Sequence, residues 1–166
     1  LDGALEHKDS LGNGSVVSAG GIQYMSAGSG VQHAEYNASH SAPVHFLQVW
    51  LLPDVTGEAP RYDTMTISDD EKAGKLKLFL SADGREGSMR IKNPADIYAA
   101  TLDQSQVISF QLRQGRRGWI QVAKGELSVN DLPLSCGDGL AVTASGGLSL
   151  ANGNNAEIIL FDLEAL

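Results

Sequence analysis

The chain has 166 residues with 12 Lys or Arg and 20 Asp or Glu, which gives a net charge of −8 at neutral pH. This length supports one good core or two small ones. The acidic excess argues against a nucleic-acid-binding protein, because such proteins contact phosphates with clustered cations. The tightest basic group, Arg113, Arg116 and Arg117 around Gly115, is typical of a solvated turn.

The sequence also argues against a membrane protein. The longest apolar run, Val49–Leu52, is far too short to span a bilayer, and no charged-then-apolar leader opens the sequence. Cys136 is the only cysteine, so no internal disulfide can form, which suits a reducing compartment. We therefore expect a cytoplasmic protein that binds neither membranes nor nucleic acid directly.

The first third of the chain predicts short antiparallel strands. Its glycines separate apolar stretches of about four to eight residues, the spacing typical of β proteins. Residues 3–7 and 15–17 predict a hairpin, and residues 21–25 and 31–37 predict a second strand pair across a small-residue turn. Residues 44–52 are apolar on both faces and predict a fully buried strand.

The remainder of the chain continues this pattern. Residues 54–62 are loop-like, so we place a domain boundary there, with domains 1–56 and 57–166. The best helical candidate is short, at residues 68–74. Three later segments repeat earlier ones in the same order, which suggests a duplicated β unit: 125–129 repeats 3–7, 136–140 repeats 18–22, and 157–163 repeats 45–51. The predicted fold class is all-β, as a barrel or a sandwich.

His33 and Glu35 are the strongest candidates for chemistry. Residues two apart on a strand point to the same face, so an imidazole and a carboxylate can converge on one point. This pair is half of a metal site, suitable for iron, manganese, nickel, copper or zinc. By spacing alone, a surface hydrogen-bonding pair is the more common alternative. All four histidines, including His7, His40 and His45, precede residue 46, so any imidazole chemistry belongs to the first domain.

Residues 21–37, with His33 and Asn37 at their end, resemble the second conserved motif of the cupin superfamily, in which a ligand histidine follows a glycine turn. A closer resemblance is to the pirin family, which includes bacterial pirin-like proteins described as quercetin dioxygenases. The segments that carry this second resemblance lie along the whole chain: 3–10, 25–37, 47–50, 60–62, 119–122 and 161–163.

The resemblance implies a bicupin, with two cupin-type (double-stranded β-helix, or jelly-roll) barrels. The first barrel of the family holds Fe(II), or another divalent metal, through three histidines and one glutamate. His33 and Glu35 match the last histidine and the glutamate, and the other two histidines would lie upstream of Leu1. We therefore expect an N-terminally truncated first barrel, within 1–56, that carries half of the metal site and binds metal substoichiometrically. The second domain, 57–166, is expected to hold no metal ligands.

The function implied for the full-length form is that of a quercetin 2,3-dioxygenase-type oxidoreductase acting on a small flavonol-like substrate. Glu35 would act both as ligand and as general base. Two alternatives stay open: an iron-dependent regulatory protein that binds a protein partner without catalysis, and an inactive truncated remnant. His7 and His45 are candidates for hydrogen-bonding support of the ligands, although packing in the core is the more common explanation for each of them.

Overall fold

The computed structural model describes residues 1–165, which form thirteen β-strands, one short α-helix and one 3₁₀ turn. The all-β prediction is therefore confirmed. The chain divides into two compact units, called unit 1 (Leu1–Ser68) and unit 2 (the described residues from Asp69 onwards). Neither helical segment of the described residues has the length and apolarity needed to cross a membrane.

Unit 1 contains five short strands arranged in two small antiparallel sheets. They are β1 Ala4–Asp9, β2 Gly14–Ser18, β3 Gly21–Ser26, β4 His33–Asn37 and β5 Arg61–Thr66. The first sheet has the order β2-β1-β4, and the second pairs β3 with β5. The predicted hairpin at the start of the chain is confirmed, because β1 pairs with β2 from Ala4 opposite Ser18 to Lys8 opposite Gly14.

The predicted pairing of the next two strands is wrong, because β4 pairs with β1 and β3 pairs with β5. The connection between β3 and β4 explains the difference. Gly28 has a positive φ of 53°, and the backbone N–H of Ser29 donates a hydrogen bond to the carbonyl of Glu58 at 2.7 Å. This contact directs the connection toward the segment that precedes β5. Strand β4 therefore does not pair with β3 and instead pairs with β1.

The fully buried strand predicted at residues 44–52 is also wrong. Within the described part of unit 1, its one β-bridge joins His45 to Asp2, and Trp50 and Leu52 are 88% and 86% exposed. A strand buried on both faces needs hydrogen-bonded neighbours and two covering layers. An apolar sequence supplies neither, so these residues form one isolated bridge and no strand. The division between the two units lies after Ser68, because β5 pairs with β3 within unit 1. The sequence analysis placed the end of the first domain at residue 56.

Unit 2 is built on one large sheet. Its strands are β6 Lys77–Ser81, β7 Met89–Arg90, β8 Asp96–Leu102, β9 Ile108–Leu112, β10 Arg116–Val129, β11 Leu132–Ser135, β12 Gly139–Val142 and β13 Gly146–Glu164. The helix α1, Asp69–Lys72, confirms the short helix expected at 68–74, and its first turn is acidic, which favours a helix start. The sheet has the order β11-β10-β13-β8-β6-β7, with β12 beside β10 and β9 beside β13.

The core of unit 2 forms along the two longest strands, β10 and β13. Alternate residues of each strand point to the same face, so an every-second-residue apolar pattern buries one face. Ile120 and Val122 on β10 and Ile158 and Leu160 on β13 are almost completely buried in one hydrophobic cluster. The register pairs Ile120 with Leu160 and Val122 with Ile158. Burial of these apolar pairs stabilises unit 2.

A bulge in β10 requires a glycine. Gly125 has a φ of 64° at a register shift, and a Cβ there would collide with the backbone oxygens of Asn154 and Asn155. We expect Gly125→Ala to destabilise unit 2 by more than the ~1–2 kcal/mol of the left-handed conformation alone. Gly115→Ala is the matched control, because Gly115 has a φ of 76° but open space around its Cβ position. Equal losses for both variants in urea unfolding would contradict the role of close packing at the bulge.

A buried ion-pair network joins neighbouring strands of unit 2. Asp162 on β13 lies opposite Asp96 on β8, and both carboxylates are buried. Arg116 donates to Asp162 at 2.6 Å, Arg85 donates to Asp96 at 2.6 Å, and Arg113 donates to both carboxylates at 3.0 and 3.2 Å. The hydrogen bond to Asp96 raises the pKa of Arg85. The solvated-turn interpretation therefore fails for Arg116, whose side chain is only 12% exposed.

Candidate metal centre

Strands β1 and β4 place four polar side chains on one face of the first sheet. His7 lies opposite Glu35, and Asp9 lies opposite His33. Residues directly opposite each other in an antiparallel pair share a face, as do residues two apart on one strand. The register therefore brings together two residue pairs that are distant in sequence.

His7, His33 and Glu35 form a cluster that could hold a metal ion. Each offers one ligand atom, and these atoms all lie within 4.8 Å of one another. The ring of His7 is fully buried, His33 is exposed, and the Glu35 side chain is 20% exposed. The Nδ1 atom of His7 is 3.9 Å from Oε1 of Glu35, and the two imidazole ring centres are 5.5 Å apart. The cluster thus has a buried side and a side open to solutes.

Asp9, the last residue of β1, supports this cluster. Its Oδ1 accepts the backbone N–H groups of Leu11 and Asn13, and its Oδ2 accepts the Asn13 amide at 2.8 Å. Burial alone would raise the pKa of Asp9, but hydrogen bonds from Asn13, from a neighbouring backbone N–H and from His7 lower it to about 2. An ionised carboxylate only accepts hydrogen bonds, so the His7 Nε2–H donates to Asp9 Oδ2 at 3.4 Å.

Gln23 and Tyr62 belong to the same site, and the sequence analysis did not identify either as functional. Gln23 Nε2 donates to Glu35 Oε1 at 2.6 Å, and the Tyr62 hydroxyl donates to Gln23 Oε1 at 3.1 Å. The ring of Tyr62 stacks on that of His7, with ring centres 4.3 Å apart and an angle of 14°. The sequence gives one indication of this role: Gln23 is a polar residue within the otherwise apolar segment 21–25, and a polar side chain there needs a hydrogen-bonding partner.

The other candidates lie away from this cluster. His45 faces Asp2, with Nδ1 3.7 Å from Oδ2, and both side chains are more than half exposed. Among the described residues, the cluster of His7, His33 and Glu35 does not include His45. His40 is exposed in the loop after β4. Cys136, in unit 2, is a free thiol that contacts the carbonyl of Ala123.

The chemistry of the donor set fits a divalent transition metal. Imidazole nitrogen and carboxylate oxygen suit iron, nickel, copper and zinc, whereas calcium and magnesium favour an all-oxygen set. Hydrogen bonds to a ligating carboxylate are typical of metal sites, and Glu35 has one from Gln23. His33 and Glu35 would be the residues that hold the ion.

Comparisons with known proteins identify the family of the chain. A family model described as Pirin matches residues 1–51, and one described as Quercetinase C-terminal cupin domain matches residues 78–163. Quercetin 2,3-dioxygenase of Escherichia coli K12 is 39% identical over 163 residues, which cover 98% of this chain and 69% of the relative.

Two solved structures are similar over the whole chain. The crystal structure of YhhW from Escherichia coli matches with a TM-score of 0.93 and 36% identity, covering 100% of this chain and 70% of that one. The nickel(II) complex of the same bacterial pirin matches with a TM-score of 0.92 and 37% identity, at the same coverage. Family models, sequence identity and fold all lead to the same assignment, and the chain therefore belongs to the pirin family of cupin proteins.

Proposed function

We propose that the protein containing this chain is a cytoplasmic, metal-dependent oxidoreductase of the quercetin 2,3-dioxygenase type, with His33 and Glu35 as two of the ligands to Fe(II). The observation that carries the proposal is the clustering of these two side chains, with donor atoms within 4.8 Å, beside the buried His7. The name of the Escherichia coli relative supports the reaction type, and the nickel(II) complex of bacterial pirin supports a divalent metal. The free thiol of Cys136 suits a reducing compartment.

The proposed substrate is a flavonol or a similar vicinally oxygenated small molecule. A bound divalent iron would supply a Lewis-acidic centre at which such a compound and dioxygen can meet. His33 is exposed and the Glu35 side chain is 20% exposed, so a solute can approach this side of the cluster. Glu35 accepts the proton of the substrate hydroxyl, because a carboxylate within hydrogen-bonding reach of the bound group acts as a general base.

The test is oxygen uptake with quercetin. We expect the full-length protein that contains this chain, loaded with Fe(II) under anaerobic conditions, to consume dioxygen when quercetin is added, and Glu35→Ala to lose this activity. Glu58→Ala, in the loop that precedes β5, is the matched control and is expected to retain it. Absence of oxygen uptake with Fe(II), Ni(II), Mn(II), Co(II) and Cu(II) would exclude the dioxygenase assignment.

One result would favour the regulatory alternative instead. Metal binding that depends on His33, combined with no oxygen uptake for any of these ions, would point to a metal-dependent partner-binding protein. A pull-down from the native cell extract would then recover a stoichiometric partner with the unsubstituted chain and lose it with His33→Ala.

A further inference from the structure

Gln23 has a defined orientation in the site. Its Nε2 lies 2.6 Å from Glu35 Oε1, and a carboxylate oxygen accepts hydrogen bonds but does not donate them. The amide nitrogen of Gln23 must therefore face Glu35. The amide oxygen then faces Tyr62, whose hydroxyl donates to it at 3.1 Å. Ser15 completes this line, because its hydroxyl can donate to the Tyr62 oxygen once the Tyr62 proton is used.

His7 fixes the second hydrogen of the Gln23 amide. Asp9 accepts hydrogen bonds from backbone N–H groups and from the Asn13 amide, so its carboxylate is also the acceptor toward His7. His7 is then the donor and carries its proton on Nε2. The Nδ1 atom of His7 is then a lone-pair acceptor, and Gln23 Nε2 lies 3.4 Å from it. Both hydrogens of the amide have acceptors, one on Glu35 and one on His7.

These bonds have a single consistent direction. Tyr62 donates to Gln23, Gln23 donates to Glu35 and His7, and His7 donates to Asp9. The stacking of the Tyr62 ring on His7 holds both rings in place. Rotation of the Gln23 amide would break its bonds to Glu35 and Tyr62 and leave the Nδ1 atom of the fully buried His7 ring without a donor, and an unpaired buried polar atom costs about 1–3 kcal/mol.

We propose that Gln23 is the positioning residue of Glu35. Its amide holds Oε1 in a fixed direction and leaves Oε2 for the metal or for the substrate proton, while His7, Asp9 and Tyr62 hold the amide. This inference rests on the proposed function, in which Glu35 is a ligand and base. In this arrangement His7 acts through Gln23 and not as a ligand, because its Nδ1 lone pair already accepts from the Gln23 amide.

The first test is Gln23→Met, which keeps the length of the side chain and removes the amide. We expect the affinity for Ni(II) to fall about 10- to 100-fold, the range typical for hydrogen-bonding partners of metal ligands. At saturating Co(II) the ligand-field absorption bands should also shift, because the carboxylate no longer has a fixed direction. Gln104→Met, in an exposed loop of unit 2, is the matched control and should change neither quantity.

A second, more conservative variant tests the same role with less risk of unfolding the protein. Tyr62→Phe keeps the stacked ring and removes only the hydroxyl that orients the amide, so a smaller loss of Ni(II) affinity is expected. Thermal unfolding of each variant shows whether the fold is intact. Unchanged affinity and unchanged Co(II) bands in folded Gln23→Met would overturn the positioning role.

A metal-free measurement separates this inference from the proposed function. In the NMR spectrum of the unsubstituted chain, the Gln23 amide protons should exchange slowly with water, and Glu35→Ala should remove that protection. If the chain bound no divalent metal, the proposed function would fail and this result alone would decide the inference. Exchange as fast as that of the Gln104 amide would overturn it.

Discussion

The His33→Ala chain is expected to bind Ni(II) at least ~100-fold more weakly than the unsubstituted chain, and Glu35→Ala is expected to show a loss of the same order. Removal of a direct ligand should cost more than the ~10- to 100-fold typical for an outer hydrogen-bonding partner. The remaining donor would hold the ion poorly, because a single side chain selects and retains divalent metals weakly. Competition against a chelator of known affinity measures the change.

The control for this experiment is His40→Ala. His40 is exposed in the loop after β4, so it reports any weak binding of Ni(II) to surface imidazole groups. Its affinity for Ni(II) should match that of the unsubstituted chain. If His40→Ala lost as much affinity as His33→Ala, or if neither His33 nor Glu35 affected binding, the metal would lie elsewhere and the proposed centre would be wrong.

Asp162→Ala is expected to destabilise unit 2 by about 3–5 kcal/mol, the cost of leaving one member of a buried ion pair without its partner. Asp162 is 1% exposed and accepts hydrogen bonds from Arg116 and Arg113. Arg113 is largely exposed and can turn to water, but Arg116 is nearly buried. The alanine variant removes the negative charge beside the Arg116 guanidinium. Of its bonds within residues 1–165, the one to the backbone oxygen of residue 162 remains.

Urea unfolding measures this loss when the signal comes from unit 2 alone. A Trp50→Phe background removes the tryptophan of unit 1 and leaves Trp119, on β10, as the reporter. Asp70→Ala, an exposed carboxylate in α1, is the control, and surface substitutions of this kind usually change stability by less than about 0.5 kcal/mol. A similar change for Asp162→Ala and Asp70→Ala would show that the buried network contributes little.

Local patterns in the sequence predicted where the strands lie better than they predicted which strands pair with each other. The turn at residues 9–14 encodes the β1–β2 hairpin, because a short loop leaves its flanking strands few other ways to pair. Strand β3 instead pairs with β5, which places Gly21 opposite Thr66 across a long separation. No periodicity carries that information. The apolar segment 44–52 failed as a strand for the same reason, since apolar character predicts burial only where a neighbour exists to cover it.

The site shows the same distinction. His33 and Glu35 share a face because they are two apart on one strand, a property that is readable from spacing. Gln23 and Tyr62 come from β3 and β5, and His7 reaches Glu35 through the β1–β4 register. Their hydrogen bonds depend on how two sheets approach each other. A glutamine and a tyrosine have no distinctive spacing in the chain, so only their geometry identifies them.

The sequence by itself determined the all-β class, the resemblance to pirins, and the pairing of one imidazole with one carboxylate on β4. Each of these depends on residue type and on short-range periodicity, which the chain carries in every conformation. The tertiary structure decided which strands pair, which histidine joins the cluster, and which amide orients Glu35. Those features depend on contacts between residues that are distant in sequence, and such contacts form only when the chain folds.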